Sequence, residues 1–204
     1  MMKFKSRNAI SLIELAFIVF VLFFIYTFVV KQMIADMRFS DLRRSAAISY
    51  TILDTASRKI IQSGGFPNRF RSETDLTNGF AKELAIDKVC ADAQKEDCWS
   101  SNWIWSEPVK AGIKLQGGQF VVGELSSATC ISSLNIKNTC GAIYIDTNGS
   151  KAPNRIGHDM IKLYVTANGL IPAGVKEDIM NPVKGCDMVK KFNWGCSAKL
   201  LGQK

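Results

Sequence analysis

The sequence predicts an α+β fold: one long N-terminal helix, membrane-spanning in its first half and amphipathic in its second, packed on an antiparallel sheet in a cysteine-closed head. Three observations lead there. An apolar run from Ile10 to Val30 carries polar atoms only at Ser11, Glu14, Tyr26 and Thr27, and at 1.5 Å per residue it makes a helix of about 30 Å, the thickness of a bilayer core. No Gly or Pro occurs between Ile10 and Ser63, so the helix continues past the run. The six cysteines all lie beyond the run, in sequential pairs separated by short loops.

Residues 1–9 form a short basic leader. Lys3, Lys5 and Arg7 have no acidic neighbour, so the positive-inside rule places the N-terminus in the cytoplasm and the chain after Lys31 across the inner membrane. A conventional secretory signal fits poorly, because no A-x-A site closely follows the run. The formal charge of +8 falls to +5 without those three residues. The remaining basic residues are scattered among acids, which argues against nucleic acid as a partner.

Residues 10–33 are assigned to the transmembrane half of the helix and 34–63 to the amphipathic half. In the latter, Ile34, Met37, the Asp41-Leu42 pair, Ser45, Ile48, Ile52, Ala56 and Ile60 recur at three- and four-residue steps, the spacing of a buried stripe. Gly64-Gly65 and Pro67 end a helix of about 50 residues. So long a helix needs a partner surface.

Residues 64–204 supply it. A short helix is expected within Leu76–Ile86, then a tryptophan cluster at Trp99, Trp103 and Trp105 that reads as packing. Strands are expected at Gly112–Leu115 and Gln119–Leu125 around the Gly117-Gly118 turn, and at Gly141–Ile145 and Met160–Thr166. The expectation is a sheet of about four strands on the helix, with a closing strand in the tail. Cysteines in an exported domain read as disulfides, and no C-x-x-C spacing suggests a metal. Pairing of nearest neighbours, Cys90 with Cys98, Cys130 with Cys140 and Cys186 with Cys196, is expected because the shortest loops meet first; the count permits other connectivities.

Two further stretches carry candidate chemistry. Glu14 is a carboxylate inside the apolar run, where burial of its charge costs roughly 2.5–3.5 kcal/mol. In the loop from Asp146 to Asp159, the side chains of Asp146, Asn148, Ser150 and Asp159 offer hard oxygen ligands for a structural calcium ion. The glycine falls fourth and Gly157 stands twelfth, unlike an EF-hand, and Asp and Asn also close turns unaided. Asn148-Gly149-Ser150 matches a glycosylation sequon. The single histidine, His158, reads as a solvated loop residue. With no nucleophile-and-base constellation or phosphate loop, the reading is non-enzymatic.

The junction Ala9-Ile10-Ser11-Leu12-Ile13-Glu14-Leu15, with its basic leader and unbroken helix, resembles the processing region of type IV pilins and type II secretion pseudopilins. Ala9 stands where that family has Gly, and Lys31 stands where major pilins carry Pro, which leans toward a minor pilin or pseudopilin. The resemblance implies cleavage between Ala9 and Ile10 by a prepilin peptidase, N-methylation of Ile10, and a pilin-like head. It also implies assembly with other pilin or pseudopilin subunits, Glu14 compensating the Ile10 amine of a neighbour. Some pseudopilins hold calcium in head loops. The alternative is a signal-anchored periplasmic binding module that does not polymerise.

Overall fold

The computed structural model describes residues 11–66, 69–99, 110–132, 136–178, 186 and 193–203. The chain divides into two compact units, Met1–Asp41 and Leu42–Lys204.

In the first unit, α1 spans Leu12–Ile25, a π-helical turn spans Tyr26–Val30, and α2 starts at Lys31 and runs on to Gln62. Leu12–Gln62 is thereby one 51-residue helix, and its N-terminal part is long and apolar enough to cross a membrane. Leu12, Phe17, Phe20, Phe23 and Phe28 are all more than 60% exposed. Such a face calls for lipid or other helices to cover it. The π turn was not foreseen from sequence. At its start the Thr27 hydroxyl donates to the carbonyls of Phe23 (2.9 Å) and Phe24 (3.1 Å), a back-bond that loosens the regular ladder.

The second unit holds α2 from Leu42 onward, α3 (Glu73–Ala81), a six-stranded sheet and α4 (Cys196–Leu200). The strands are β1 (Ile86–Cys90), β2 (Gly112–Leu115), β3 (Phe120–Leu125), β4 (Thr139–Asp146), β5 (Met160–Thr166) and β6 (Gly169–Pro172). They lie in sequence order, each antiparallel to the next. The α+β class and antiparallel sheet agree with expectation, but the sheet has six strands among the described residues rather than about four. β1 is an edge strand whose middle is charged, and β6 is four residues ending in proline; neither carries enough apolar residues to announce a strand. Among the described residues of the tail, where a closing strand was expected, the regular element is the helix α4.

The buried face of α2 agrees with expectation at Ala56 and Ile60 and differs from it at Ile48 and Ile52. Ala46, Ser49, Leu53, Ala56, Ser57 and Ile60 are at most 1% exposed, whereas Ile48 and Ile52 are 47% and 37% exposed. On this face the large side chains of Leu53 and Ile60 are interleaved with the small ones of Ala46, Ser49, Ala56 and Ser57. Ser45 Oγ donates to the Thr147 carbonyl (2.8 Å) and Tyr50 to that of Leu170 (3.4 Å), tying the helix to the ends of β4 and β6. α3 is capped by Ser72, whose hydroxyl accepts the Asp75 N–H, and it lies on β3 where Gly123 leaves room for Leu76 and Thr77.

Strand alternation sends Val121, Ile143, Ile145, Ile161, Leu163 and Val165 to that helix-covered face. The opposite face is a second core: Phe120, Val122, Ala142, Tyr144 and Met160 pack with Cys90, Ala93, Cys98 and Trp99. Every residue of β4 is consequently buried. Disulfides join Cys90–Cys98, Cys130–Cys140 and Cys186–Cys196, the nearest-neighbour pattern. Trp99 is buried in this second core; Trp103 and Trp105 lie outside the described residues.

Candidate functional site

Ala9 and Ile10 lie outside the described residues. The helix begins at the next position, where Ser11 is extended and caps α1. Its backbone N–H donates to Glu14 Oε2 (2.8 Å), and its Oγ accepts the Glu14 N–H (3.2 Å). This is a capping box, in which each residue satisfies one orphan donor of the helix start. The carboxylate also faces the positive end of the helix dipole. Glu14 is exposed, so apart from this box its charge is open to whatever surrounds the helix. Ser11 is the residue that sequence reasoning passed over, although Ser-x-x-Glu before an apolar run is a legible signature.

The second candidate is the loop joining β4 to β5. Asp146 ends β4 opposite Met160, the first residue of β5, and the Thr147 N–H donates to the Asp159 carbonyl (2.9 Å). Asp146 and Asp159 are both fully buried. The Asp159 carboxylate accepts the backbone N–H groups of Asn154 (2.7 Å) and Arg155 (2.6 Å) and the Asn148 side-chain amide (3.1 Å). Asp146 Oδ1 accepts the Asn148 N–H (3.3 Å).

Of the four oxygen-bearing residues proposed for calcium, the structure thus gathers Asp146, Asn148 and Asp159 at the loop base. Ser150 sits exposed on the loop. No group of three or more His, Cys, Asp or Glu side chains suited to a metal occurs among the described residues. Chemically, the donors on Asp159 do the neutralising that a cation would do, since N–H groups bonded to the charged form stabilise it.

The Asn148 amide nitrogen donates to Asp159 and to the Ala152 carbonyl (3.4 Å). His158 is half-buried rather than solvated, and burial holds its pKa below the ordinary histidine value.

No protein-family model, no curated protein and no solved structure matches this chain. The functional reading rests on its own residues.

A third polar constellation stands on the second core. Tyr144 donates to Glu124 Oε2 (2.6 Å), and the Lys162 ammonium lies 5.1 Å from the ring centres of both Tyr144 and Tyr164. Burial first, then the Glu124 carboxylate, raises the Tyr144 pKa above its ordinary value; burial lowers that of Lys162. Tyr144 thereby links β3 to β4 through a side-chain hydrogen bond as well as through the ladder.

Proposed function

We propose that this chain is a prepilin-type structural subunit, a minor pilin or pseudopilin. It is cut between Ala9 and Ile10 by a prepilin peptidase, methylated on Ile10, and assembled through its N-terminal helix into a pilus or pseudopilus. Its N-terminus faces the cytoplasm, and its head lies in the periplasm or on an extracellular filament. The protein is not an enzyme.

The observation that carries this reading is the helix Leu12–Gln62, whose apolar start bears a single carboxylate one turn from the proposed cleavage point. In the isolated chain Glu14 satisfies its own helix start through Ser11. In a filament it would offer the same carboxylate to the Ile10 amine of a neighbouring subunit. Opposite charges meeting inside an apolar bundle fix register, whereas either charge left alone is costly.

A second feature supports side-by-side helix packing. The outward face of α2 over Ala47, Ile48, Thr51, Ile52 and Thr55 is exposed and uncharged, a surface suited to another helix.

Mass spectrometry of the mature N-terminus tests the proposal. N-methyl-Ile10 is the expected species. Chains that still carry residues 1–9 would instead mark a signal-anchored module that does not polymerise.

A further inference from the structure

We propose that the outward face of α2 between Arg44 and Arg58 docks a helix of a different protein, one whose apolar seam is bracketed by two acidic residues at the same spacing. Such a dock rests on that face being the helix-packing surface proposed above, but it requires neither cleavage after Ala9 nor polymerisation.

Between the two arginines every exposed position of α2 is uncharged: Ala47, Ile48, Thr51, Ile52 and Thr55. The threonines add to the apolar character rather than interrupt it. Thr51 Oγ1 donates to the Ala47 carbonyl (2.8 Å) and Thr55 Oγ1 to the Thr51 carbonyl (2.8 Å), so both hydroxyl protons are spent on the helix's own backbone. Ile48, Thr51, Ile52 and Thr55 follow the i, i+3, i+4, i+7 spacing of a seam that fits a second helix.

The ends of the seam decide the partner. Arg44, Thr51 and Arg58 stand seven residues apart, so they share one face, and the two guanidinium groups bracket a length of about 21 Å. Arg44 is exposed and makes no ion pair among the described residues. Arg58 is bonded to Asp54 through Nε (2.8 Å), which leaves the donors of its Nη atoms for another acceptor. Beside it, Lys59 is ion-paired with Glu83 (3.9 Å).

A second copy of this chain fits badly in either direction. Set parallel and in register, two copies bring Arg44 against Arg44 and Arg58 against Arg58. Set antiparallel about Thr51, they bring Arg44 against Arg58 at both ends. Sliding one copy by a heptad lays an arginine on the apolar seam of the other. Like charges at facing positions and a guanidinium pressed into an apolar seam both select against self-pairing. A helix with Glu or Asp two heptads apart meets both arginines and covers the same seam.

The test uses the full chain in a zwitterionic detergent and two dye-labelled synthetic helices that share one leucine and isoleucine seam, ended either by two glutamates or by two lysines. Fluorescence anisotropy reads peptide binding, and sedimentation equilibrium reads the mass of the chain without peptide. The glutamate peptide should bind saturably, at least about tenfold tighter than the lysine peptide, and should lose most of that preference as salt rises from about 50 to 500 mM. Arg44→Glu should abolish or reverse the preference. Ile48→Gln, which keeps a good helix former at an exposed position, should weaken binding of the glutamate peptide about tenfold, and both variants should melt with the unaltered chain. Equal binding of the two peptides, a preference that Arg44→Glu leaves unchanged, or binding that Ile48→Gln leaves unchanged overturns the proposal. A dimer of the chain that Ile48→Gln dissolves also overturns it, while leaving α2 a helix-packing face with a second copy as occupant. Absence of binding by either peptide up to about 100 µM, with a monomeric chain, overturns the packing surface itself, and none of these outcomes alters what mass spectrometry finds at the N-terminus.

Discussion

Replacing Asp159 by alanine removes a fully buried carboxylate that holds three N–H donors, two of them backbone groups of the same loop. Hydrogen bonds to a charged group contribute about 1.5–3 kcal/mol each, and donors stranded without a partner cost about 1–3 kcal/mol. The three bonds act as one unit, so their effects do not add fully. A loss of about 3–5 kcal/mol follows, the range seen when a buried charged network is broken. For a unit of this size each kcal/mol moves the melting midpoint by about 2–4 °C, so the variant should melt roughly 6–20 °C lower. Asp159→Asn keeps one acceptor oxygen and should lose about half as much. Near-ultraviolet circular dichroism of the full chain in detergent, with and without calcium, reads both effects. The unaltered chain should melt within about 2 °C in either condition, because its carboxylate is already satisfied. An Asp159→Ala variant that melts with the unaltered chain would refute the staple. A calcium-dependent rise of several degrees that vanishes in the variant would make the residue a metal ligand instead.

Three other outcomes follow from the same geometry. Glu14→Ala should leave membrane insertion and head folding intact but reduce filament yield, while Ser11→Ala should weaken the start of α1 by about 0.5–2 kcal/mol; a normal filament yield from Glu14→Ala would remove its proposed role. Leu53→Ala should cost about 2–5 kcal/mol of head stability, whereas Ile52→Ala should cost far less and act on assembly; equal costs in chemical denaturation would contradict the assigned inner face. Tyr144 has a folded-state pKa above its unfolded value of 10.0, so its contribution is complete below pH 10 and is lost as pH rises beyond it. Tyr144→Phe should therefore flatten the alkaline limb of a stability-against-pH curve, and an unchanged limb would place the titration elsewhere.

Much of the fold could be read from the sequence because the strongest signals are local. The apolar run, the absence of helix breakers up to Ser63 and the Gly117-Gly118 turn each act through neighbouring residues, and the helix and the hairpin follow from them, while the two long central strands show in their own β-type runs. What could not be read depended on partners distant in the chain. Ala56 and Ile60 fell in the period read from sequence and are buried, but Ile48 and Ile52 matched it equally well, and only the packing of the head decides that Ala46, Ser49 and Leu53 face inward in their place. β1 and β6 are defined by the strands they border more than by their own composition. At the sites, Glu14 stood out by its charge alone, but its bond to Ser11 needed the cap geometry. Asp159 stood out as a hard oxygen in a loop that could suit calcium; that two backbone N–H groups also bond to it depends on how the loop folds back.

The sheet order β1 to β6 has a consequence for how the chain acquires its shape. Every strand pairs with the one made just before it, and the disulfides close over 8, 10 and 10 residues. From Cys98 the next cysteine along, Cys130, is 32 residues away, and closing that larger loop costs about 1 kcal/mol more in chain entropy. Native crosslinks are thus the quickest to form as well as the final ones. A polypeptide emerging N-terminus first, with its helix already delivered, can add strands one at a time onto a finished edge. Low contact order of this kind favours rapid folding, and no strand has to wait for the C-terminus before it finds its neighbour.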